Sequence, residues 1–163
     1  MGKTRKSKWL RVSRQDLVHS ARTGIAACVS LETARLCRLP EAYWATITTI
    51  VIMQSTLGAA LTVSEYRFAG TGLGSLMGAL LATYFPGSLI VFTLGVFVLG
   101  LICAMLRLDR AAYRFAGITL AIVMLVAHLG PAWIVAVHRS LEVSIGVGVG
   151  LLLTAVWPVK EPA

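Results

Sequence analysis

The sequence predicts an all-α integral membrane protein with six transmembrane helices, and three observations support that fold class. Hydrophobic residues make up 57% of the 163-residue chain and charged residues only 13%, about half the share found in an ordinary soluble domain. The mean hydropathy is +0.80, and apolar segments recur along the whole chain without leaving room for a soluble domain. All five prolines fall between these segments or in the C-terminal tail, where helices end.

These segments predict a basic cytoplasmic arm over residues 1–12, a single six-helix domain over residues 13–158 and a short cytoplasmic tail over residues 159–163. Helix 1 is predicted to start at a capping box, Ser13-x-x-Asp16, and to end near Leu39, ahead of Pro40. A polar break at residues 64–67 is predicted to separate the second helix from the third. The later helices are predicted over residues 43–61, 68–85, 89–106 and 113–129, and from the turn at Gly130-Pro131 to Trp157.

Basic residues are distributed unevenly between the two predicted sides of the membrane. One side holds twelve of them and the other holds three, Arg35, Arg38 and Arg139. Basic loops stay on the cytoplasmic side, so both termini are predicted to be cytoplasmic in a multi-pass protein of a bacterial-type plasma (inner) membrane. The net charge of +8 does not predict binding to nucleic acid, because the basic residues flank apolar segments. The lipid bilayer is the expected environment.

Two pairs of ionisable residues lie inside predicted membrane helices, Glu32 with Arg35 in helix 1 and Arg139 with Glu142 in helix 6. Each pair is spaced i, i+3, so its two members share one helix face. Ionisable groups at membrane depth are costly and are therefore functional candidates. The two helices run in opposite directions, and the four charges are predicted to cross-pair near the outer mouth if the helices are neighbours. Two interpretations stay open, an ion-pair lock between helices and a site that handles a solute or a proton.

Gln54 and Arg67 complete the candidates for a substrate pathway. Gln54 lies in the middle of helix 2, where it either bonds a neighbouring helix or contacts a solute. Arg67 is predicted at the cytoplasmic start of helix 3, as a head-group anchor or as a cationic contact for an anionic solute. The three cysteines lack metal-ligand spacing, and no serine–histidine arrangement or pair of aspartates suggests catalysis. No metal site, cofactor or enzymatic activity is predicted.

Two ladders of glycines at four-residue spacing predict close packing between helices. Residues four apart share a helix face, and glycine places no side chain between two backbones. One ladder lies in helix 3 and the other in helix 6. The second does not match a phosphate-binding loop, because it lacks the Lys-Ser/Thr that follows such loops. The ladders consist of Gly70, Gly74 and Gly78, and of Gly146 and Gly150.

Four further groups of residues occur in a combination that is more specific than any one of them. They are Ala42-Tyr43-Trp44-Ala45, Gln54-Ser55-Thr56-Leu57-Gly58, Arg67-x-x-Gly70-Thr71-x-x-Gly74, and Arg139-x6-Gly146 with the closing Trp157-Pro158. With these groups, residues 20–158 resemble the fusaric acid resistance-like superfamily. That superfamily includes aromatic acid exporters and, more distantly, plant aluminium-activated malate transporters.

The resemblance implies a membrane transporter that exports small organic, frequently aromatic, carboxylate anions. Members are often doubled within one chain and often carry a cytoplasmic domain, so a homo-oligomer of at least two copies is expected to restore the doubled unit here. They also often have proline after the helix 2 glutamine, whereas this chain has Ser55, which leaves open whether helix 2 breaks there. Two alternatives remain, an anion channel on the same scaffold and a non-transporting membrane subunit. Only Arg35, Arg67 and Arg139 are available for a basic pore.

Overall fold

The protein is described by a computed structural model that covers residues 13–53, 56–126 and 130–157, and all regular structure in these residues is helical. Six helices follow one another, which confirms the predicted all-α class and the number of helices. The predicted arm and tail, residues 1–12 and 159–163, lie outside the described residues. The helices are α1 (Arg14–Leu36), α2 (Tyr43–Ile52), α3 (Leu57–Tyr84), α4 (Leu89–Met105), α5 (Arg110–Leu125) and α6 (Ala132–Val156).

Side-chain caps determine where four of the helices start. Ser13 and Asp16 form the predicted capping box of α1. Thr56, Ser88 and Asp109 cap α3, α4 and α5 in the same way, each with a side-chain oxygen that accepts a backbone N–H. These bonds satisfy N–H groups that have no carbonyl partner in the first turn of a helix.

The predicted boundary between the second and third helices is wrong. The prediction put a loop around the polar run at residues 64–67. In the structure α2 ends at Ile52 and α3 begins at Leu57, so the polar run lies inside α3. The Thr56 hydroxyl accepts a hydrogen bond from the Ala59 N–H at 3.2 Å, which starts α3 well before the polar run.

The polar run stays helical because its side chains are satisfied without a loop. The Ser64 hydroxyl donates to the Ala60 carbonyl, one turn earlier, at 2.7 Å. Such a bond to the carbonyl four residues back leaves the helix intact. Arg67 is buried among neighbouring helices, and Glu65 is exposed on the opposite face. Polar sequence therefore does not mark a turn at this point.

α3 is the central helix, which packs along both α5 and α6 and also contacts α2 and α4. Gly70 lies against Ala112 and Gly78 lies against Val123, so α3 and α5 run in parallel. Gly74, between them, contacts the same helix. Two backbones approach this closely because glycine places no side chain between them. The first glycine ladder therefore lies inside the protein, at the contact between α3 and α5.

The second glycine ladder lies at the contact between α6 and α2. Gly146 packs against Thr48 and Gly150 packs against Ile52, so these two helices also run in parallel. The Thr49 hydroxyl donates to the Gly146 carbonyl at 3.0 Å across the contact. Hydroxyl groups that bond a neighbouring backbone are a common means of holding helices together in membrane proteins.

The remaining helix directions follow from pairs of contacts that run in opposite order along two helices. For α1 and α6 these are Arg22 with Trp157 and, just after α1, Glu41 with Glu142; for α3 and α6 they are Ser75 with Ser140 and, through Thr48, Arg67 with Gly146; for α4 and α5 they are Gly95 with Leu120 and Gly100 with Tyr113. Consecutive helices therefore alternate in direction. The start of α1, the α2–α3 and α4–α5 connections and the end of α6 lie together at one end, which we call the basic end.

The polarity of the bundle is reversed relative to a soluble protein. Its interior contains charged side chains and many hydroxyl groups, while large apolar side chains such as Ile90, Leu94 and Phe97 are exposed. A soluble monomer rarely exposes so much contiguous apolar surface. Among the described helices, α6 is long and apolar enough to cross a membrane, and α2 and α4 are apolar but shorter. An apolar exterior around a polar interior fits an environment of lipid.

Replacing Gly74 with Ala is expected to lower stability, because the added Cβ would meet the Ala116 carbonyl oxygen and would lie 2.9 Å from the Thr119 Cβ. Gly72 on the same helix has open space around it and is the matched control. There, alanine is expected to raise stability slightly, since it favours a helix interior by up to about 1 kcal/mol over glycine. Thermal unfolding followed by circular dichroism in detergent measures both variants. Equal effects would contradict the internal role of Gly74.

Candidate functional site

Three charged side chains are buried together where α2, α3, α5 and α6 meet. Arg67 comes from α3, and Arg139 and Glu142 come from α6; their exposed fractions are 4%, 1% and 0%. We call this group the buried charge cluster. Glu142 pairs with Arg139, and the partly buried Glu41 carboxylate also attracts Arg139, so Arg67 is the cation without a carboxylate partner among the described residues. Burying a charge without an opposite partner is expensive, which makes Arg67 a candidate site for an anion.

Glu142 joins the cluster to the start of α2. Its carboxylate accepts a hydrogen bond from Arg139 at 3.5 Å and another from the Glu41 backbone N–H at 3.2 Å. The Glu41 carboxylate in turn accepts the indole N–H of Trp44 at 3.0 Å. A single buried carboxylate thus orients an arginine on its own helix and the first turn of a neighbouring helix.

Arg139 is held by an aromatic face as well as by Glu142. Its guanidinium lies over the Trp44 ring at 3.9 Å from the ring centroid, which is a favourable cation–π distance. Its Nε and Nη2 atoms have no hydrogen-bond partner within the described residues. A guanidinium carries five N–H donors, and this one therefore retains donors that a ligand could use.

Arg67 has a similar setting but no carboxylate. Its Nη2 donates to the Thr48 hydroxyl at 3.2 Å, and its guanidinium lies 4.6 Å from the centroid of the Phe115 ring. Its Nε has no partner in the described part of the chain. The guanidinium groups of Arg67 and Arg139 are close enough to repel each other. An anion between them would remove this repulsion.

The position of Arg67 corrects the sequence prediction. It was expected at the cytoplasmic start of the third helix, but it lies ten residues beyond Leu57, inside α3. Its partner Thr48 packs against Gly146, near the middle of α6. Arg67 is therefore an interior residue and not a head-group anchor at the surface. The error follows directly from the misplaced start of α3.

The predicted cross-pairing between α1 and α6 is also wrong. Glu32 and Arg35 bond each other at 2.8 Å with side chains that are 57% and 60% exposed. The buried face of α1 instead carries Ser30 and Ala34. At 100° per residue, Glu32 points about 200° away from Ser30, so it cannot reach the interior. α1 and α6 are neighbours, but each ion pair closes within its own helix.

The remaining predicted residues are Gln54 and the five ladder glycines. Gln54 lies outside the described residues. The five ladder glycines lie at helix contacts. Gly70 follows Arg67 by about one turn of α3, and Gly146 packs against Thr48, the hydrogen-bond partner of Arg67. The substrate-pathway role of all the predicted residues stays a prediction. Among the described residues, no group of His, Cys, Asp and Glu side chains is arranged to hold a metal ion.

Sequence reasoning missed several residues that contact the cluster. Trp44 was named only as part of a family motif, and Thr48 and Phe115 were not singled out. A signal for the interior face was available on α3, where polar residues recur every three or four positions. These residues, Ser64, Arg67, Thr71 and Ser75, are all buried. Such spacing marks one polar helix face and predicts that the face is turned inward in a lipid environment.

Arg22 was also missed as an interior residue, although it was counted among the basic flanks. It is fully buried, and its Nη1 donates to the Trp157 carbonyl at 2.7 Å. Its Nη2 lies 3.4 Å from Nδ1 of His19. A cation at the C-terminal end of a helix interacts favourably with the free carbonyls there. Arg22 therefore joins α1 to the end of α6, away from the buried charge cluster.

Comparison with known proteins gives matches to membrane proteins. The fusaric acid resistance protein family matches residues 16–161. The chain is 29% identical over 164 residues to the uncharacterized transporter YdhK of Escherichia coli (strain K12), covering 95% of this chain and 24% of YdhK. It is 30% identical over 154 residues to the inner membrane protein YeeA of the same strain, covering 91% of this chain and 43% of YeeA. The chain thus spans about a quarter of YdhK and less than half of YeeA. No solved structure matches.

Replacing Glu142 with Gln is expected to destabilise the protein far more than replacing Glu32 with Gln. Both glutamates pair with an arginine three residues away, but only the pair with Arg139 is buried. Removing one partner of a buried pair costs roughly 3–5 kcal/mol, whereas an exposed pair contributes at most about 1 kcal/mol. Thermal unfolding of the two variants in the same detergent measures the difference. Equal changes in Tm would contradict the assignment.

Proposed function

The chain belongs to the fusaric acid resistance protein family, and we propose that it exports small organic carboxylate anions, aromatic ones among them. Transport across a membrane is the coarse function that the family and the transporter name of YdhK support. An inner-membrane location is supported by the name of YeeA. We infer the anionic character of the solute from the buried charge cluster.

The observation that carries the proposal is the buried cation Arg67, which has no carboxylate partner among the described residues. Arg67 and Arg139 repel each other, whereas Glu142 and the partly buried Glu41 both attract Arg139. In a medium of low dielectric constant, an unpaired charge attracts a counter-ion strongly. Arginine N–H groups bind carboxylates through charge-assisted hydrogen bonds. A carboxylate between the two arginines can therefore bind to their N–H groups that have no partner among the described residues. It does not have to displace an existing hydrogen bond.

Aromatic rings beside the two arginines favour an organic anion over an inorganic one. Trp44 and Phe115 each cover one guanidinium face. These rings hold the cations in place, and a flat apolar solute stacks on ring surfaces of this kind. This combination of cation and aromatic surface suits an aromatic carboxylate.

In the membrane topology that we propose, the bundle lies in the bilayer with its basic end toward the cytoplasm. Helices that alternate in direction put the start of α1 and the end of α6 on one side. Exposed arginines of that end, Arg14, Arg107, Arg110 and Arg114, follow the positive-inside rule. We also propose assembly as a homo-oligomer, because the bundle leaves large apolar side chains exposed along most of its helices.

A continuous basic pore has less support than a single site. Of the three arginines available for it, Arg67 and Arg139 are in the buried charge cluster, whereas Arg35 is exposed on α1 and paired with Glu32. Alternating access around one site needs only the buried pair. We therefore favour a transporter over a channel.

Replacing Arg67 with Gln is expected to lower efflux of benzoate from proteoliposomes roughly ten- to hundredfold, because a charge-assisted bond to the carboxylate is lost. The free energy of unfolding is expected to stay the same or to rise, because Arg139 loses a repulsive neighbour. Efflux of radiolabelled benzoate and the Tm of the same preparation are the two measurements.

Arg38→Gln is the control, since this exposed arginine lies outside the cluster. It is expected to keep wild-type efflux. Full benzoate efflux by the Arg67→Gln variant would refute the proposed site. A drop in Tm as large as that of Glu142→Gln would show that Arg67 is structural instead. A wild-type chain that moves no carboxylate but co-purifies with another membrane protein would indicate a non-transporting subunit.

The topology is tested by labelling single cysteines in intact cells. Cys37 is exposed at the end of α1 and needs only the replacement of Cys28 and Cys103 by alanine. An Arg107→Cys change in a cysteine-free background tests the α4–α5 connection. A membrane-impermeant maleimide is expected to label Cys37 from outside and position 107 only after the cells are opened. Labelling of position 107 in intact cells would reverse the orientation.

A further inference from the structure

We infer a binding site for an anionic phospholipid at the basic end of the α4–α5 hairpin. The phosphate would be held by Arg107 and Arg110, and a length of acyl chain would lie in the groove between the two helices. The inference rests on the membrane placement proposed above and does not depend on transport. We call the site the α4–α5 groove, and it is lined by Phe97, Gly100, Leu101, Cys103, Ala104, Leu108, Arg110 and Tyr113.

The α4–α5 hairpin ends short of its neighbours at the basic end. Gly70 lies against Ala112, so Arg110 is about level with Phe68 of α3. α3 continues from Phe68 back to Leu57, eleven residues, which corresponds to about 16 Å at 1.5 Å per residue. The connection between α4 and α5 is therefore recessed, and a notch is left beside α3. The arginines of this connection lie at the depth of apolar side chains and not beyond them.

The groove has the dimensions and the chemistry of a site for an acyl chain. Its volume is about 280 Å³, and apolar side chains form most of its wall. Gly100 leaves space above the ring of Tyr113, whose nearest atom would lie 3.4 Å from an added Cβ. Leu101 and Phe97 are half exposed or more, so the groove opens sideways onto the apolar surface of the bundle. A ligand that enters from this direction comes from within the bilayer.

The cations at the basic end of the groove have no carboxylate partner among the described residues, although the Arg114 Nε donates to the Arg110 carbonyl at 3.4 Å. Arg107, Arg110 and Arg114 are exposed, and none forms a salt bridge with another described residue. The neighbouring acid, Asp109, accepts the Ala111 N–H at 2.8 Å as the cap of α5. The charge at the α4–α5 connection is therefore strongly positive, next to the apolar wall of the α4–α5 groove. Basic pockets between helices on the cytoplasmic side bind anionic head groups.

An anionic phospholipid fits this combination better than the alternatives. A free phosphate would bind the arginines but would not fill the α4–α5 groove. A neutral phospholipid would fill the groove but would bring no net negative charge to the arginines. The recess brings the two features within the length of one lipid molecule, with the phosphate at the connection and the acyl chain directed along α4.

Native mass spectrometry of the delipidated full chain tests the inference with two probes, palmitoyl-oleoyl phosphatidylglycerol and palmitoyl-oleoyl phosphatidylcholine. The wild-type chain is expected to retain the phosphatidylglycerol preferentially. Arg107→Gln/Arg110→Gln is expected to weaken its retention by roughly fivefold for each arginine removed, the usual attraction of a juxtamembrane arginine for anionic lipid. Arg11→Gln/Arg14→Gln removes the same charge from the N-terminal segment and is expected to change retention little.

Filling the groove gives a second, independent readout. Ala104→Phe is expected to lower retention of phosphatidylglycerol, whereas Leu94→Phe, exposed on the same helix but outside the groove, is expected to leave it unchanged. Excess inorganic phosphate is expected not to displace the lipid; displacement would show a site for a free anion. Three results would overturn the inference. They are equal retention of the two lipids, equal loss in both arginine double variants, and a dimer that Ala104→Phe breaks while neither lipid is preferred. Benzoate efflux in the same variants reports on transport separately.

Discussion

The bond network around Glu142 is the constraint on which the rest of the interior depends. This carboxylate is fully buried, and it interacts with a side chain of its own helix and with the backbone that leads into α2. By fixing the start of α2, it brings Trp44 over Arg139 and places Thr48 one turn further along, where Arg67 bonds it. An interior carboxylate without these partners would be costly to bury. The site and the packing of α2 are therefore one structural unit.

Glycine packing makes this arrangement possible. Gly146 lets α2 approach α6 until Thr48 lies against its backbone, and Gly70 lets α5 approach α3 beside Phe115. Larger residues would hold the helices apart and remove Arg67 from both its hydroxyl and its aromatic partner. The ladders thus determine the distances within the buried charge cluster, although no glycine belongs to it. Packing density and site geometry are coupled through backbone contact.

Arginine has three different roles in this protein, and the environment of each residue decides which role it has. Arg35 is exposed beside Glu32 and forms a weak pair in a medium of high dielectric constant. Arg67 and Arg139 are buried, and Arg67 has no carboxylate partner among the described residues, so we propose that this pair binds an anionic solute. Arg107 and Arg110 are exposed at the α4–α5 connection beside apolar side chains, where we propose that they bind a lipid head group. In these proposals the same guanidinium chemistry binds a solute at one site and a lipid at the other.

The sequence by itself determined the helical class, the number of helices and most of the helix boundaries. These features follow from local properties: apolar length, proline positions and caps such as Ser13 and Asp16. It also identified Arg139 and Glu142 as ionisable residues in a predicted membrane segment, and Arg67 as a candidate contact for an anionic solute at the segment's edge. Tertiary structure alone decided that Arg67 is interior, that Glu32 faces outward and that α2 ends at Ile52. Periodicity states which residues share a helix face, but the partner of that face lies far away in sequence. Its identity depends on contacts such as Gly146 with Thr48, which no local pattern encodes.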